Sequence, residues 1–68
     1  MYISKNDFCP KCRNIRVSLG GGRPAGQALY EVEGNQMLAF MAYRAMLTDL
    51  KNNGGCPKCI GLLENATS

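Results

Sequence analysis

The residues best suited to chemistry are four cysteines that lie in two identical tetrapeptides. Cys-Pro-Lys-Cys occurs at 9–12, near the start of the 68-residue chain, and again at 56–59. A Cys-x-x-Cys segment presents two sulfur atoms at once, and zinc binds four thiolates in a tetrahedron at about 2.3 Å. The sequence therefore predicts one structural zinc ion held by Cys9, Cys12, Cys56 and Cys59. Four protein ligands leave no open position for metal catalysis.

Three other uses of the same cysteines stay open: a redox dithiol, an iron site and a disulfide framework. The opening residues, 1–5, contain no apolar stretch of the kind that marks a secretion signal. We therefore expect a cytoplasmic, reducing compartment, in which disulfides are disfavoured. A bridge within Cys-x-x-Cys would also close a very short loop and remove little chain entropy.

The remaining composition argues against an enzyme. The chain has no histidine, which excludes histidine-based acid–base catalysis and Cys–His nucleophiles. The glycine-rich segment 20–26 lacks the spacing of a phosphate-binding loop. A chain this short makes a single domain, 1–68, whose core alone rarely supplies more than about 3–5 kcal/mol. We expect no small-molecule substrate, and no apolar run approaches the ~18 residues that span a bilayer.

Two segments alternate like half-buried strands. Apolar residues at 15, 17 and 19 predict a strand over 15–19, and the pattern over 28–33 predicts a second, with Tyr30 and Val32 facing inward. The intervening loop, 20–27, would join them as a β-hairpin. Across this hairpin Arg16 would pair with Glu31 or Glu33. Residues 1–8 show a weaker strand pattern.

Two helices are predicted after the hairpin. Asn35 is a good N-cap, residues 36–52 are rich in helix formers, and Asn53-Gly54-Gly55 supplies a stop. Pro57 suits the first position of a short C-terminal helix over 56–64, with Cys56 at its N-cap. The fold class predicted is a small α+β zinc-binding domain with a hairpin, a long helix and a short C-terminal helix, held together by the four-cysteine site.

The long helix is apolar around most of its circumference. This apolar surface is larger than the rest of one small chain is expected to cover. Part of that surface is predicted to contact a protein partner or a second copy of the chain. The alternative is that the hairpin and the C-terminal segment cover it. The candidate interface residues are Met37, Phe40, Met41, Tyr43, Met46, Leu47 and Leu50.

Charge is unevenly distributed. Residues 1–23 carry a net +4, residues 24–50 a net −2 and residues 51–68 a net +1, and binding zinc to four thiolates lowers the formal total from +3 to +1. The basic third could contact nucleic acid or an acidic partner, and the alternative is a solvent-exposed strand face. We expect the aromatic residues of this third, Tyr2 and Phe8, to cover the metal site with apolar surface rather than to stack on nucleic-acid bases. The candidate contacts are Lys5, Lys11, Arg13, Arg16 and Arg23.

The paired Cys-Pro-Lys-Cys motifs resemble those of small four-cysteine zinc proteins, the zinc-ribbon and treble-clef classes. In the treble-clef class a hairpin precedes a helix whose first turn supplies the last two ligands, a role that 56–64 fits. Rubredoxin-like iron sites often have glycine after the second cysteine, where this chain has Arg13 and Ile60. Residues 2–12 also resemble the opening of glutaredoxin-like proteins, which implies a strand leading into a reactive Cys-Pro-x-Cys.

The function predicted from the sequence is a non-enzymatic, zinc-stabilised adaptor or regulator that acts through its apolar helix, with the transcription machinery as one candidate target. A nucleic-acid-binding zinc-finger regulator is the first alternative. A glutaredoxin-like dithiol oxidoreductase is the second.

Overall fold

The computed structural model describes residues 2–18 and 21–68. The elements, in chain order, are a 3-10 turn at Lys5–Asp7, α1 (Pro10–Arg13), β1 (Arg16–Val17), β2 (Arg23–Pro24), α2 (Ala25–Glu31), α3 (Gln36–Asn52) and α4 (Pro57–Thr67). Within the described ranges, no helix combines the length and apolar character needed to cross a membrane.

Helix α3 has the bounds predicted from the sequence, Gln36–Asn52. The Asn35 side chain accepts a hydrogen bond from the Leu38 N–H at 3.1 Å, and this satisfies one of the donors that a helix N-terminus leaves without a partner. At the other end the chain turns at Gly54, whose φ of +77° suits a residue without a Cβ. Local capping therefore sets both ends of the longest element.

A β-hairpin is present but shorter than predicted. Strands β1 and β2 pair antiparallel, with Arg16 opposite Pro24 and Val17 opposite Arg23. Arg16 is exposed and Val17 is buried, as the alternating pattern predicts. Leu19 and Gly20, the predicted end of the strand and start of the loop, lie outside the described residues.

The second predicted strand, 28–33, is wrong, because most of it is helix α2. The buried residues of α2 are Ala25, Ala28 and Leu29, a spacing of three and four that places them on one helical face. Tyr30, expected to face inward, is 60% exposed. Burial of one helical face has therefore overridden a short alternating pattern.

The predicted ion pair across the hairpin is also wrong. Arg16 Nη1 donates to the Gly22 carbonyl at 2.7 Å, while Arg23 pairs with Glu31 of α2. Once the second strand becomes a helix, Glu31 faces Arg23 rather than Arg16.

The weak leading strand is replaced by the 3-10 turn, with Met1 outside the described residues. Ser4 and Asp7 close this turn as a capping box: the Ser4 Oγ accepts from the Asn6 N–H at 3.2 Å, and Asp7 Oδ2 accepts from the Ser4 N–H at 2.8 Å.

Helix α3 lies at the centre of the core and packs against α4, α2 and β1. Helix α4 starts as predicted, with Cys56 at the N-cap and Pro57 first, but continues to Thr67 rather than residue 64. The fully buried large side chains are Phe8, Leu29, Met46, Leu50, Leu63 and Val17, together with Cys12 and Cys59. The core is therefore continuous with the cysteines.

Candidate metal centre

Both Cys-Pro-Lys-Cys segments form the same local structure. Cys9 and Cys56 are N-caps with nearly equal backbone angles, φ −68° and ψ 159° for the first and φ −75° and ψ 151° for the second. The Cys9 carbonyl accepts from the Arg13 N–H at 3.0 Å, and the Cys56 carbonyl accepts from the Ile60 N–H at 3.0 Å. Proline at the first helical position lacks an N–H that the helix would leave without a partner. Each segment thus turns two sulfur atoms toward the same side.

The four sulfur atoms converge on one point. All four Sγ atoms lie within 4.8 Å of one another. Cys56 Sγ is 3.5 Å from Cys12 Sγ and 3.7 Å from Cys9 Sγ, and Cys9 Sγ is 4.0 Å from Cys59 Sγ. In a tetrahedron with metal–sulfur bonds of about 2.3 Å the sulfur–sulfur edge is about 3.8 Å. The predicted ligands therefore lie together, at the spacing that a tetrathiolate metal site needs.

Two backbone hydrogen bonds connect the segments reciprocally. The Cys9 N–H donates to Cys59 Sγ at 3.5 Å, and the Cys56 N–H donates to Cys12 Sγ at 3.3 Å. The first residue of each segment thus bonds to the last sulfur of the other. N–H groups directed at sulfur stabilise the thiolate form, which is the form that binds a metal. Sequence spacing gave no indication of this crossed pairing.

Burial divides the four thiols into two kinds. Cys12 and Cys59 are fully buried, whereas Cys9 and Cys56 are half-buried. Burial raises the pKa of Cys12, and it raises the pKa of Cys59 to about 12. A hydrogen bond from the Cys59 N–H to its sulfur lowers the pKa of Cys56 to about 6. Without a cation, the buried pair thus keeps its protons at neutral pH, so a metal that binds all four sulfurs must displace them.

The predicted basic contacts are partly engaged within the chain. Arg16 and Arg23 bond within the hairpin region and to α2, and the Lys5 ammonium lies 5.0 Å from the centre of the Tyr30 ring. Lys11 is exposed and Arg13 is half-buried, both on α1.

The two aromatic residues near the first segment differ in exposure. Phe8 is 2% exposed and belongs to the core, so it is not available to stack on a base. Tyr2 is 46% exposed.

The predicted α3 interface is only partly at the surface. Tyr43, Met46 and Leu50 are buried in the chain's own core, which corrects their assignment to a partner contact. The Tyr43 hydroxyl also accepts from the Ile3 N–H at 3.0 Å, and Leu47 is partly buried. The side of α3 that carries these residues is therefore covered by the chain's own elements, among them α4, α2 and β1.

One face of the N-terminal half of α3 is left uncovered. Met37 is 77% exposed, Met41 62% and Phe40 40%, and they are joined by Leu38 and Tyr2, which the sequence had not assigned to the interface. At 100° per residue the four helical side chains span an arc of about 160°. We call these five residues the exposed apolar face. The apolar character of Leu38 beside Met37 was the signal that could have included it.

A groove of about 220 Å³ borders this face. Its lining comprises Tyr2, Gln36, Ala39, Phe40, Tyr43 and Ala66, so the start of the chain, α3 and the end of α4 all contribute to it.

No protein-family model, curated protein sequence or solved structure matches this chain. Helices α2 and α3 lie between the hairpin and α4, whose N-cap is Cys56 and whose first turn contains Cys59. The strand implied by the glutaredoxin-like resemblance is not found, because Tyr2–Ser4 are irregular and a 3-10 turn precedes Cys9. What is established is a cluster of four cysteines at metal-binding distance.

Proposed function

We propose that this chain is a non-enzymatic adaptor or regulator that is stabilised by one zinc ion and binds protein through its exposed apolar face. The observation that carries the proposal is the convergence of four sulfur atoms within 4.8 Å of one another, from segments near opposite ends of the chain. An ion held there would connect the start of α1 to the start of α4, on either side of α3 in the sequence.

Zinc is the ion that the donor set favours. Four thiolates in a tetrahedron are typical of zinc or of iron–sulfur sites, and a closed four-sulfur shell is typical of structural zinc. Structural zinc contributes about 10–16 kcal/mol to small domains at neutral pH, against the ~3–5 kcal/mol that a core of this size supplies. The metal would therefore be the main source of stability.

The exposed apolar face supports the adaptor role. Four large apolar side chains of α3, each at least 40% exposed, lie side by side on its N-terminal half. Contiguous apolar surface of this kind marks interaction sites on small soluble domains. Regulation of the transcription machinery is one setting in which such a chain would act.

The two alternatives have less support. Nucleic-acid binding would use the basic residues, but Arg16 and Arg23 are engaged within the chain and Phe8 is buried. A dithiol oxidoreductase would use one Cys-x-x-Cys pair, whereas here the two pairs share hydrogen bonds and enclose one position.

Metal content and thiol reactivity together test the proposal. We expect native mass spectrometry of the purified chain to show one zinc ion per chain, and a native thiol titration to show four slowly reacting cysteines that release zinc as they react. Bound iron, detected by its visible absorption, would show that the four cysteines hold iron instead of zinc. A folded, metal-free chain with two fast thiols would support the oxidoreductase and overturn the proposal.

A further inference from the structure

Opposite charges flank the exposed apolar face of α3 along the sequence. Residues 34–43 contain no charged side chain. Glu33 precedes this stretch and Arg44 follows it, and both are exposed. The Arg44 guanidinium lies 5.9 Å from the centre of the Phe40 ring, which keeps the positive charge beside the face.

We propose that the occupant of this face is a second copy of the chain, packed with its α3 antiparallel to the first about a two-fold axis. The inference rests on the proposed function, because it names the protein that the apolar face binds. In a two-fold pairing the same surface serves both partners. When the axis is perpendicular to the helices, the N-terminal end of one face meets the C-terminal end of the other. Glu33 of each copy then lies toward Arg44 of the other.

The charge pattern favours this partner over others. Antiparallel pairing brings opposite charges together at both ends, whereas parallel pairing would place like charges side by side, which is unfavourable. The uncharged centre also desolvates no ionised group when it meets its own copy. A strongly acidic or basic partner would find no complementary charge between residues 34 and 43.

The apolar area comes close to that of a stable interface when both copies contribute. With side chains of about 150–250 Å² each, the five residues of the face, 40–77% exposed, present roughly 500 Å² of apolar surface. Two faces together bury roughly 1,000 Å², which with the polar rim approaches the ~1,200 Å² lower bound of stable interfaces. One face against a flat polar surface would bury much less apolar area.

The groove beside the face offers a place for a side chain of the second copy. Its volume, about 220 Å³, lies between Tyr2, Phe40 and Ala66. An unbranched methionine adapts to irregular gaps, and Met37 and Met41 are the most exposed side chains of the face. The face therefore carries both the projecting side chains and a recess that can receive them.

Sedimentation velocity on the full zinc-loaded chain tests this inference, over about 10 μM to 1 mM, a range that brackets weak to moderate dissociation constants. We expect the mass to rise from one chain to two. Met41→Glu should weaken self-association at least tenfold, whereas Asn52→Glu, at the far end of the same helix, should leave it unchanged. Circular dichroism and zinc content of each variant show that it is folded.

A charge exchange tests the antiparallel arrangement. Glu33→Arg and Arg44→Glu should each weaken the dimer, and the double variant should recover most of the loss, because each exchanged residue meets the other across the axis. A dimer that ignores Met41→Glu, or a double variant no better than the single ones, would overturn the inference.

Native mass spectrometry separates this inference from the proposed function. Two chains with two zinc ions support both. One chain with one zinc ion at every concentration overturns the dimer and leaves the zinc-stabilised protein standing, whereas a folded chain without metal overturns the proposed function itself.

Discussion

The two Cys-Pro-Lys-Cys segments begin helices of very different length. Helix α1 ends at Arg13 after four residues, whereas α4 runs for eleven residues to Thr67. Their starting geometry is nearly the same. Each has a cysteine N-cap, proline at the first position and a 3.0 Å hydrogen bond to the carbonyl of the capping cysteine. Identical residues thus form identical turns, and the difference arises in the residues C-terminal to each turn.

Intrinsic propensity does not explain the difference. Asn14 ends α1, with its side-chain amide donating to the Pro10 carbonyl at 3.0 Å. Gly61 is a poorer helix former than asparagine, yet α4 continues through it. The distinction is burial: Cys59 and Leu63, four residues apart, both lie against the core. Tertiary packing therefore extends α4, whereas α1 ends and the chain continues into the β-hairpin.

The largest predicted effect is the same for both segments. Cys9→Ser and Cys56→Ser should both unfold the chain, although one begins a four-residue helix and the other an eleven-residue helix, because each removes a ligand of the same ion. The loss draws on a metal contribution of about 10–16 kcal/mol. Far-UV circular dichroism and zinc content measure it.

Lysine variants provide the matched controls for the cysteine changes. Lys11→Ala and Lys58→Ala alter exposed residues between the cysteines and should retain both fold and metal. If only the Cys56 variant unfolded, the two segments would not share one ion.

Leu63→Ala should destabilise α4 specifically. Leu63 is fully buried, and truncating a buried leucine costs about 2–5 kcal/mol. Denaturant unfolding at a fixed free zinc concentration measures the change. Asn65→Ala, exposed on the same helix, is the control and should shift stability by less than about 0.5 kcal/mol. Equal effects of the two changes would show that burial does not extend α4.

Gly55→Ala should disturb the approach to the second segment. A Cβ at this position would lie 2.8 Å from Leu50 Cβ and 3.0 Å from the Leu50 carbonyl oxygen, so the turn before Cys56 must shift. We expect a loss of about 1–3 kcal/mol, as for overpacking in a core. Chemical denaturation measures it, and an unchanged midpoint would contradict the close packing of this turn.

The smallest predicted effects have opposite signs in the two helices. Gly61→Ala should stabilise α4 by up to about 1 kcal/mol, because alanine is a better helix former and nothing lies within 4 Å of the added Cβ.

Asn14→Ala should destabilise the end of α1 by about 0.5–1.5 kcal/mol through loss of its hydrogen bond to Pro10. Thermal unfolding compares both, and a destabilising Gly61→Ala would indicate a constraint on α4 beyond helix propensity.

Local chemistry was sufficient for several features that could be predicted before the fold was known. The four cysteines of the cluster follow from residue type and spacing, and the bounds of α3 follow from the Asn35 cap and the turn at Gly54. The start of α4 follows from Pro57. For α3 and α4 the signal lies within a few residues of the feature, and for the cysteines it lies in the repetition of one four-residue segment.

Long-range packing settled the rest. The 28–33 segment alternates too briefly to distinguish strand from helix, and burial of Ala25, Ala28 and Leu29 against neighbouring elements selected the helix α2. The same packing buried Tyr43, Met46 and Leu50 of α3 while leaving Met37, Leu38, Phe40 and Met41 exposed. Apolar side chains are alike in sequence whether they meet their own chain or solvent. Only the positions of α2, α4 and the hairpin around α3 distinguish the two, because burial is a property of the assembled elements.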